Sequence, residues 1–448
     1  MGVIKFSIML DDGCVLLTQS CYIRGLSKKQ YNVLVDVCLK LNDLRNCAVE
    51  KTPFVKSSDG KHFNKINFKQ VIGNVKKEFK DKYSLIQAGV ADAAIKKHVD
   101  SFNGFVALKN KSIDGEYDLK VNSPHKHDSG RLHNIIIPRG SITSSKKKLS
   151  EGYIELPLSR KYKKELESKD CRPKIKIPEN IRDKNLIQVE IIPINNGRMF
   201  KANFTYQEEI DPWNLDKEKV MGIDVGVNNF VTIVTTERTP YIVDGRHLKS
   251  QIAFKCKKTA YYQSILNKQG LKRSKRIGKI NTKFKGIQNN FLNQATNFIL
   301  QVCQEQDVGT IVLGYNKNFQ YKSNMSPTQN QIFTQYAFKK FIDKLLTKCK
   351  IHDITLIITE ESYTSKSSFL DDDILPTYNE NDEEKKHKFK GKRIKRGLYK
   401  TLKGILINAD VNAACNIIRK SKQKFNKERL CKWAQDAPIK IKLHKNNL

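Results

Sequence analysis

The hydrophobic and polar positions divide the first half of the chain into stretches with different periods. Alternating apolar residues predict one or two strands in residues 1–25. A helical period follows, with Ser27 and Ser84 as candidate N-caps of two helices. The alternating period returns over residues 119–210, where it predicts further strands. We expect a small β-barrel made from both strand regions and interrupted by a helical insertion at residues 26–118.

The strongest local signal within this barrel is a hairpin. Two stretches with the period of a strand, residues 186–194 and 199–206, flank the dipeptide Asn196-Gly197. A tight hairpin turn requires positive φ angles, which asparagine and glycine adopt readily. The pattern therefore predicts that these two strands pair in antiparallel fashion.

The second half of the chain alternates strands with long helices. This order predicts a layered α/β domain with a mixed sheet over residues 215–425. Residues 366–403 interrupt the pattern with acidic and then basic stretches, and residues 426–448 are predicted to be a flexible tail. The predicted strands are 220–224, 230–235, 310–313 and 354–359, and the predicted helices are 247–304, 329–348 and 411–419.

Charge narrows the set of possible partners. The chain has 448 residues with 82 Lys and Arg against 46 Asp and Glu, a formal net charge of +36, and a sequence pI near 9.7. A basic surface gains affinity for nucleic acid because it releases counterions from phosphates. No apolar run approaches the roughly 20 residues that span a bilayer, and Asp11 and Asp12 interrupt a signal-like start. We expect an intracellular protein that does not bind membranes.

The ten cysteines form no C-x-x-C pair. Neither a disulfide framework nor a zinc knuckle is indicated. We expect reduced cysteines that act as small apolar residues.

Carboxylates in three separate segments of the α/β region are candidates for metal chemistry. Asp224 lies within an apolar strand, Glu360 and Glu361 follow another strand, and Asp410 opens a helix. Hydrolysis of a phosphodiester with two metal ions needs carboxylates from distant segments to converge, with the cations about 3.5–4 Å apart. Such a convergence is possible here because all four residues belong to one predicted domain.

Each of these acids also has an ordinary structural interpretation. Asp410 is an acceptable helix N-cap. Asp224 is compatible with a turn that precedes Gly226, and Glu360 or Glu361 with a solvated strand end. Their combination in one α/β domain favours a metal site over three coincidences.

The sequence around these acids resembles the TnpB family of transposon-encoded proteins. Residues 222–230, Gly-Ile-Asp-Val-Gly-Val-Asn-Asn-Phe, resemble the first RuvC motif, and residues 408–417, Asn-Ala-Asp-Val-Asn-Ala-Ala-Cys-Asn-Ile, resemble the third. Tyr363-Thr364-Ser365 resembles the segment between the second and third motifs. The resemblance is specific over 220–235 and 355–420 and weak before about residue 210.

This resemblance implies both a fold and a function. The fold would be an α/β RuvC (RNase H-like) nuclease domain, preceded by a β-barrel (wedge) domain with a helical recognition insertion. The activity would be RNA-guided cleavage of DNA beside a short adjacent motif, as in the related type V CRISPR effectors, with Mg²⁺ or Mn²⁺ as cofactor. The partners would be a guide RNA and the target DNA. The location would be the cytoplasm, in association with the nucleoid, or the nucleus of a eukaryotic host.

Two features depart from the family pattern. The second-motif glutamate usually follows the strand written here as residues 311–313, but the chain has Gly314 there. A branch of the family shared with the Fanzor relatives supplies this glutamate just before Tyr-Thr-Ser. That branch assigns the metal ligands and catalytic residues to Asp224, Glu361 and Asp410, with Glu360 as the alternate for Glu361.

The second departure concerns zinc. The zinc ribbon of the family would occupy residues 366–403, where Ser367 and Ser368 stand at the first ligand positions. No cysteine occurs between Cys349 and Cys415. Structural zinc is therefore not expected, and this segment must be held by other contacts or be mobile.

Basic clusters are candidates for nucleic-acid binding, although a solvated helix face is the alternative. They are Lys272, Arg273, Lys275, Arg276, Arg393, Lys395 and Arg396. Two other functions stay open. One is an RNA-guided DNA-binding protein that no longer cuts, and the other is a guide-independent transposition or junction nuclease on the same core. The sequence does not indicate the oligomeric state.

Overall fold

A computed structural model describes residues 13–142, 149, 151–166, 168–316, 326–377 and 387–443. The chain divides into two compact units, an N-terminal unit at Leu10–Glu208 and a C-terminal unit that contains Glu209–Leu448. The strand predicted nearest the N-terminus falls on residues 1–12, which lie outside the described residues. No helix in the described ranges is long and apolar enough to cross a bilayer.

The N-terminal unit combines helices with short sheets around one apolar core. Its helices are α1 (Lys28–Glu50), α2 (Phe68–Glu78), α3 (Lys80–Ser84), α4 (Ala88–Ile113), α5 (Arg139–Ile142) and α6 (Arg160–Glu165). Its strands are β1 (Cys14–Ile23), β2 (Ile135–Pro138), β3 (Tyr153–Glu155), β4 (Lys174–Lys176), β5 (Leu186–Ile194) and β6 (Met199–Glu209).

The strands of this unit form two sheets in the described residues. One has the order β1-β6-β5-β2, and the other pairs β3 with β4. The hairpin prediction is confirmed, because β5 and β6 pair antiparallel and Asn196 and Gly197 have φ angles of 59° and 77°. Closure of these strands into a barrel stays a prediction.

One of the two predicted helix caps is confirmed. Ser27 accepts a hydrogen bond from the backbone of Gln30, whose side chain accepts one from Ser27 in return. The prediction for Ser84 is wrong, because Ser84 is the last residue of α3. The cap of α4 is Gln87, whose longer side chain reaches the Val90 amide.

The C-terminal unit has the predicted mixed α/β architecture. Its strands are β7 (Asp216–Val225), β8 (Asn229–Thr235), β9 (Tyr241–Asp244), β10 (Val308–Gly314), β11 (Thr355–Thr359), β12 (Lys392–Lys395), β13 (Leu398–Lys400), β14 (Leu406–Asn408) and β15 (Ile439–Ile441). Its helices are α7 (Arg246–Lys268), α8 (Lys275–Gln306), α9 (Pro327–Phe333), α10 (Phe338–Ile351), α11 (Ala409–Lys420) and α12 (Lys427–Ala434).

The main sheet of this unit has the order β11-β10-β7-β8-β9-β15, and β12, β13 and β14 form a separate small sheet. Strands β7, β8 and β9 pair antiparallel, whereas β10 runs parallel to both β7 and β11. Every residue of β10 is buried. A central strand covered on both faces has a continuous apolar sequence, which is why its position was readable from the sequence.

Two predicted long helices are each divided in two. The helix predicted at 247–304 is broken between α7 and α8, where Gly270 has a φ of 65° and Ser274 caps α8. The helix predicted at 329–348 is broken between α9 and α10. There a tight turn places the Tyr336 ring in the core, stacked on Phe338 with the ring centroids 5.3 Å apart.

The prediction of a flexible tail at 426–448 is wrong for the residues described up to 443. Asn426 caps α12, and Leu430 of this helix is fully buried in the core. The strand β15 then pairs parallel with β9 at the edge of the sheet. This pairing brings together residues about 200 positions apart in sequence, which a local pattern does not reveal.

Candidate metal centre

Three parallel strands of the C-terminal unit end at one edge of the main sheet. Ile223, Leu313 and Ile358 are register neighbours across β7, β10 and β11. Asp224 follows the first of them directly, and Glu361 lies three residues beyond the last. The sheet therefore brings these two acids to the same edge, the end of a parallel sheet where ligands commonly bind.

The helix α11 lies directly on this sheet. A Cβ atom added to Gly222 would lie 2.5 Å from the Ala414 carbonyl oxygen, so only glycine permits the close approach. Asp224 is two residues beyond Gly222 and shares its face of the strand. Asp410 is one helical turn before Ala414. Asp224 and Asp410 thus lie on the same side of the sheet.

Gly314 marks the position where the family usually has its second glutamate. A Cβ atom at 314 would lie 2.5 Å from Ile417 Cδ1 and 3.4 Å from Glu361 Cβ. The side chain of Glu361 therefore starts beside the place that a residue at 314 would fill. Glu361 is positioned to replace the missing side chain, as the rearranged second motif would require.

Asp410 is not the N-cap of its helix. Asn408 fills that position and accepts hydrogen bonds from the backbone amides of Asp410 and Val411. The Asp410 carboxylate accepts a hydrogen bond of 2.6 Å from Asn229 Nδ2 and lies 3.3 Å from the Arg393 guanidinium. The capping interpretation of Asp410 is therefore wrong, and its carboxylate points into the site.

The electrostatics of the site disfavour ionised carboxylates. Burial first, and then the charges of Glu361 and Asp410, hold the pKa of Asp224 well above its usual range, while Arg393 acts in the opposite direction. Burial, and then Glu360, raise the pKa of Glu361 to about 7 against the attraction of Lys420. Carboxyl groups from three chain segments thus lie close enough to repel one another.

The negative charge of these carboxyl groups suits a cation, but their side chains do not surround a common position. Among the described residues, no set of three or more His, Cys, Asp or Glu side chains is placed to hold a metal ion. Oxygen ligands of this kind suit Mg²⁺ and Mn²⁺. A divalent cation would relieve the repulsion among Asp224, Glu361 and Asp410, provided that their side chains turned toward it.

Glu360 has different surroundings from Glu361. One of its carboxylate oxygens forms an ion pair with Lys420, and the other accepts a hydrogen bond of 2.8 Å from the Ser362 amide. In the part of the chain that the structure describes, the Glu361 carboxylate accepts no hydrogen bond. Glu361 is therefore the better candidate for a ligand.

A cleft of about 600 Å³ opens beside Asp224 and Asp410. Two of the predicted nucleic-acid-binding residues, Arg393 and Arg396, line it. Sequence reasoning missed other polar residues in the cleft, which are Asn228, Asn229, Asp244, Arg246, Asn408 and Lys440. Asn229 could have been identified from the sequence, because it belongs to the first motif.

The other predicted binding residues lie elsewhere in the C-terminal unit. Lys272 and Arg273 are exposed between α7 and α8, and Lys275 and Arg276 are exposed at the start of α8. The Arg276 guanidinium lies 4.6 Å from the centroid of the Tyr262 ring. Lys395 is exposed on β12. Their role in binding stays a prediction.

The segment at 366–403 is held by hydrogen bonds in its described residues, 366–377 and 387–403. The Asp373 carboxylate accepts hydrogen bonds from the amides of Ser368 and Lys390, and the Asp371 carboxylate accepts one from Leu402. The Tyr399 hydroxyl donates to the Lys366 carbonyl. Part of the predicted acidic block thus cross-links the segment, and of the two expected alternatives these described residues are held by other contacts.

Two family comparisons match the C-terminal half of the chain. Residues 203–320 match the OrfB_IS605 family, described as a probable transposase, and residues 338–417 match the Cas12f1-like TNB domain. Both regions contain residues that carry the sequence motifs, among them Asp224, Glu361 and Asp410. The resemblance to the TnpB family of transposon-encoded proteins is confirmed.

The comparison with solved structures found matches of low sequence identity. A Cas12f1–sgRNA–target DNA complex has 16% identity and a TM-score of 0.33, with coverage of 90% of this chain and 98% of that one. The mini-RNA-guided endonuclease CRISPR-Cas_phi3 has 9% identity and a TM-score of 0.40, with 93% of each chain covered. Comparison with curated proteins found no match.

Proposed function

We propose that this protein is an RNA-guided DNA endonuclease of the TnpB type, which cleaves target DNA by hydrolysis that depends on Mg²⁺ or Mn²⁺. Its partners would be a transposon-derived guide RNA and a DNA target beside a short adjacent motif. Its place of action would be the cytoplasm, at the nucleoid, or the nucleus of a eukaryotic host.

The observation that supports this proposal is the proximity of carboxyl groups from three distant segments, two of them after strands β7 and β11 and one in the first turn of α11. The Asp224 carboxyl feels the repulsion of both Glu361 and Asp410. An accumulation of like charge at a partly buried site is costly for stability and is common where a site binds a cation or performs acid–base chemistry. The net charge of +36 supports a polyanionic partner.

Asp224, Glu361 and Asp410 would hold the metal. When bound, the metal would supply Lewis-acid stabilisation of the phosphate and a hydroxide nucleophile at neutral pH. The protein's own residues would orient the DNA. Arg393 and Arg396 line the cleft beside the acids, where their guanidinium groups can pair with backbone phosphates. Asn229 would fix the orientation of the Asp410 carboxylate through its hydrogen bond.

The test begins with the RNA that copurifies with the protein. DNA that matches this RNA, with a range of flanking sequences, is incubated with the complex and Mg²⁺ or Mn²⁺. Asp224→Asn, Glu361→Gln and Asp410→Asn should each lower the cleavage rate by roughly 10³-fold or more. Each variant should retain the RNA. The exposed Asp353→Asn on the same unit is the matched control and should cut at the wild-type rate.

Gly314 keeps a second function open, that of an RNA-guided DNA-binding protein without cleavage. A complex that binds matched DNA but leaves it intact in both metals would favour this alternative. Cleavage that ignores the sequence of the bound RNA would instead favour a guide-independent nuclease.

A further inference from the structure

Lys420, the last residue of α11, is a lysine whose ammonium group is enclosed by the protein. Its side chain is only 7% exposed. The ammonium donates to the Ser362 carbonyl at 2.6 Å and to the Pro376 carbonyl at 2.9 Å, and it forms the ion pair with Glu360. Two of the three donors of the ammonium group thus bind backbone carbonyls, and the Glu360 carboxylate balances its charge.

Lys420 continues a polar stripe along one face of α11. Asn412, Asn416 and Lys420 are spaced by four residues, so their side chains follow one another on that face. Asn412 donates to the Ser367 carbonyl and accepts from the Phe369 amide. Asn416 donates to the carbonyls of Thr364 and Ser367. The stripe therefore binds the backbone of residues 362–376.

The backbone held by this stripe begins directly after Glu361. The Glu361 amide donates to Asn316 Oδ1 at 3.1 Å, and Tyr363 has a φ of 62°. A bulky residue with positive φ is strained, and such strain persists only where the surroundings enforce it. The same helix carries Asp410 in its first turn. One rigid element thus fixes two of the proposed metal ligands relative to each other.

The ion pair also distinguishes the two adjacent glutamates. Both carboxylate oxygens of Glu360 are engaged, one by Lys420 and one by Ser362. Glu360 is directed toward α11 and anchors the turn, while the neighbouring Glu361 side chain starts beside Gly314 at the sheet edge. A buried ion pair gives little net stability, so its retention is compatible with a role in placement.

We propose that Lys420 and Glu360 are positioning residues that hold Glu361 in place, and that Glu360 is not itself a metal ligand. This inference rests on the proposed function, because it assigns Glu361 to the metal site. It predicts that loss of the ion pair weakens metal binding without removing a ligand.

The experiment measures cleavage against Mg²⁺ concentration and, independently, Mn²⁺ binding by electron paramagnetic resonance in the RNA complex. Lys420→Met should raise the metal concentration for half-maximal cleavage by about tenfold and weaken Mn²⁺ binding to the same degree. Excess metal should restore its cleavage, whereas Glu361→Gln should stay inactive at every concentration. Lys420→Arg, which keeps the cation, should lie between Lys420→Met and the wild type.

Glu360→Gln provides the comparison between neighbours, because it keeps one acceptor for Lys420. It should cut at least about 100-fold faster than Glu361→Gln at saturating metal. If the two glutamine variants are equally inactive, Glu360 is a ligand and the inference is wrong. A folded Lys420→Met complex with wild-type metal dependence would also overturn it.

Misfolding of Lys420→Met and failure of the proposed nuclease function can each be distinguished from failure of this inference. If Lys420→Met does not fold, as judged by thermal unfolding and RNA retention, then Lys420→Arg and Glu360→Gln decide the question alone. If the wild type cuts no DNA in either metal, the proposed nuclease function fails. The Mn²⁺ measurements on the same variants would then still support or overturn the placement of Glu361.

Discussion

Two helices, one in each unit, hold an irregular segment by the same means. In the N-terminal unit, α1 uses Asn42, Arg45 and Asn46 to bond the backbone of residues 125–128. In the C-terminal unit, α11 uses Asn412, Asn416 and Lys420 to bond residues 362–376. Both stripes bind backbone carbonyls of an irregular segment, and in the C-terminal unit these belong in part to the buried residues Thr364 and Ser367.

The two held segments differ in the charge that they present. Beside α1, burial, and then the charge of Arg45, lower the pKa values of His98 and His127 to about 4, which keeps both rings neutral at pH 7. Beside α11, the segment presents Glu361, which contributes to the raised pKa of Asp224. The stripe on α1 therefore serves the stability of the N-terminal unit. In our proposal, the stripe on α11 also places the charge of Glu361 in the C-terminal unit.

The largest difference in stability and cleavage is expected from removing one side-chain amide from each stripe. Asn416→Ala leaves the Thr364 carbonyl without this donor and should lower the free energy of unfolding by about 2–4 kcal/mol. It should also slow cleavage by about tenfold or more in the folded complex, because the turn with Glu361 loosens. Thermal unfolding and single-turnover cleavage at saturating RNA measure the two effects.

Asn46→Ala is the matched change in α1. It removes two hydrogen bonds to the His127 backbone and should cost about 1–3 kcal/mol of stability. Cleavage by the folded complex should stay at the wild-type rate. Equal losses of cleavage in Asn416→Ala and Asn46→Ala would show that the two stripes do not differ in function.

A smaller contrast is expected from glycine substitutions. Gly314→Ala places a methyl group 2.5 Å from Ile417 Cδ1 and should destabilise the C-terminal unit by about 1–3 kcal/mol. In α4 of the N-terminal unit, Gly104 has open space around the same position, so Gly104→Ala should stabilise the protein by about 0.5–1 kcal/mol.

The crowding around residue 314 also allows a more specific test. Gly314→Glu restores the usual second-motif residue, yet it should not rescue Glu361→Gln, because Ile417 and residue 361 already fill the space. Denaturant unfolding and the cleavage assay check these expectations. Rescue by Gly314→Glu would show that the sheet edge accepts a glutamate from either strand.

The sequence predicted four of the six strands of the main sheet, β7, β8, β10 and β11, and the candidate acids, because these signals are local; it did not predict β9 or β15. Buried central strands have continuous apolar runs, and Asp224 interrupts one of them. The roles of Asn412, Asn416 and Lys420 were not predictable, because polar residues spaced by four on a helix look like a solvated face. Their partners lie 43–58 residues away and become visible only in the folded chain.

Other errors have similar causes. The break between α7 and α8 did have a local signal in Gly270 and Ser274, which the strong basic periodicity on both sides obscured. The cap of α4 by Gln87 had none, since glutamine is not a favoured N-cap residue. The ordered residues 427–441 depend on burial of Leu430 and on pairing with β9, which are both long-range contacts.

The smallest predicted effect is an opposite response of the two units to pH. His98 and His127 have folded pKa values of about 4, below the ordinary 6.5. The unfolded chain therefore binds more protons between pH 4 and 6.5, and the N-terminal unit gains stability as pH rises through this window. His62, whose pKa is raised by hydrogen bonds to Asp59 and Asp114, acts mainly above it.

In the C-terminal unit without metal, the contribution of Glu361 to stability changes with pH in the opposite direction. Its folded pKa of about 7 exceeds the ordinary 4.5, so the folded state holds the proton longer and stability falls as pH rises from 4.5 to 7. Hydrogen exchange of peptides from α1 and α11 should show protection changing in opposite directions between pH 4.5 and 6.5. Mg²⁺ should abolish the trend in α11, because bound metal stabilises the ionised carboxylates. Glu361→Gln should reduce the response of α11, to which Asp224 contributes with the same sign, and His98→Gln should reduce that of α1, to which His127 contributes. Parallel trends in both helices would contradict this assignment of charge to the surroundings of α1 and α11.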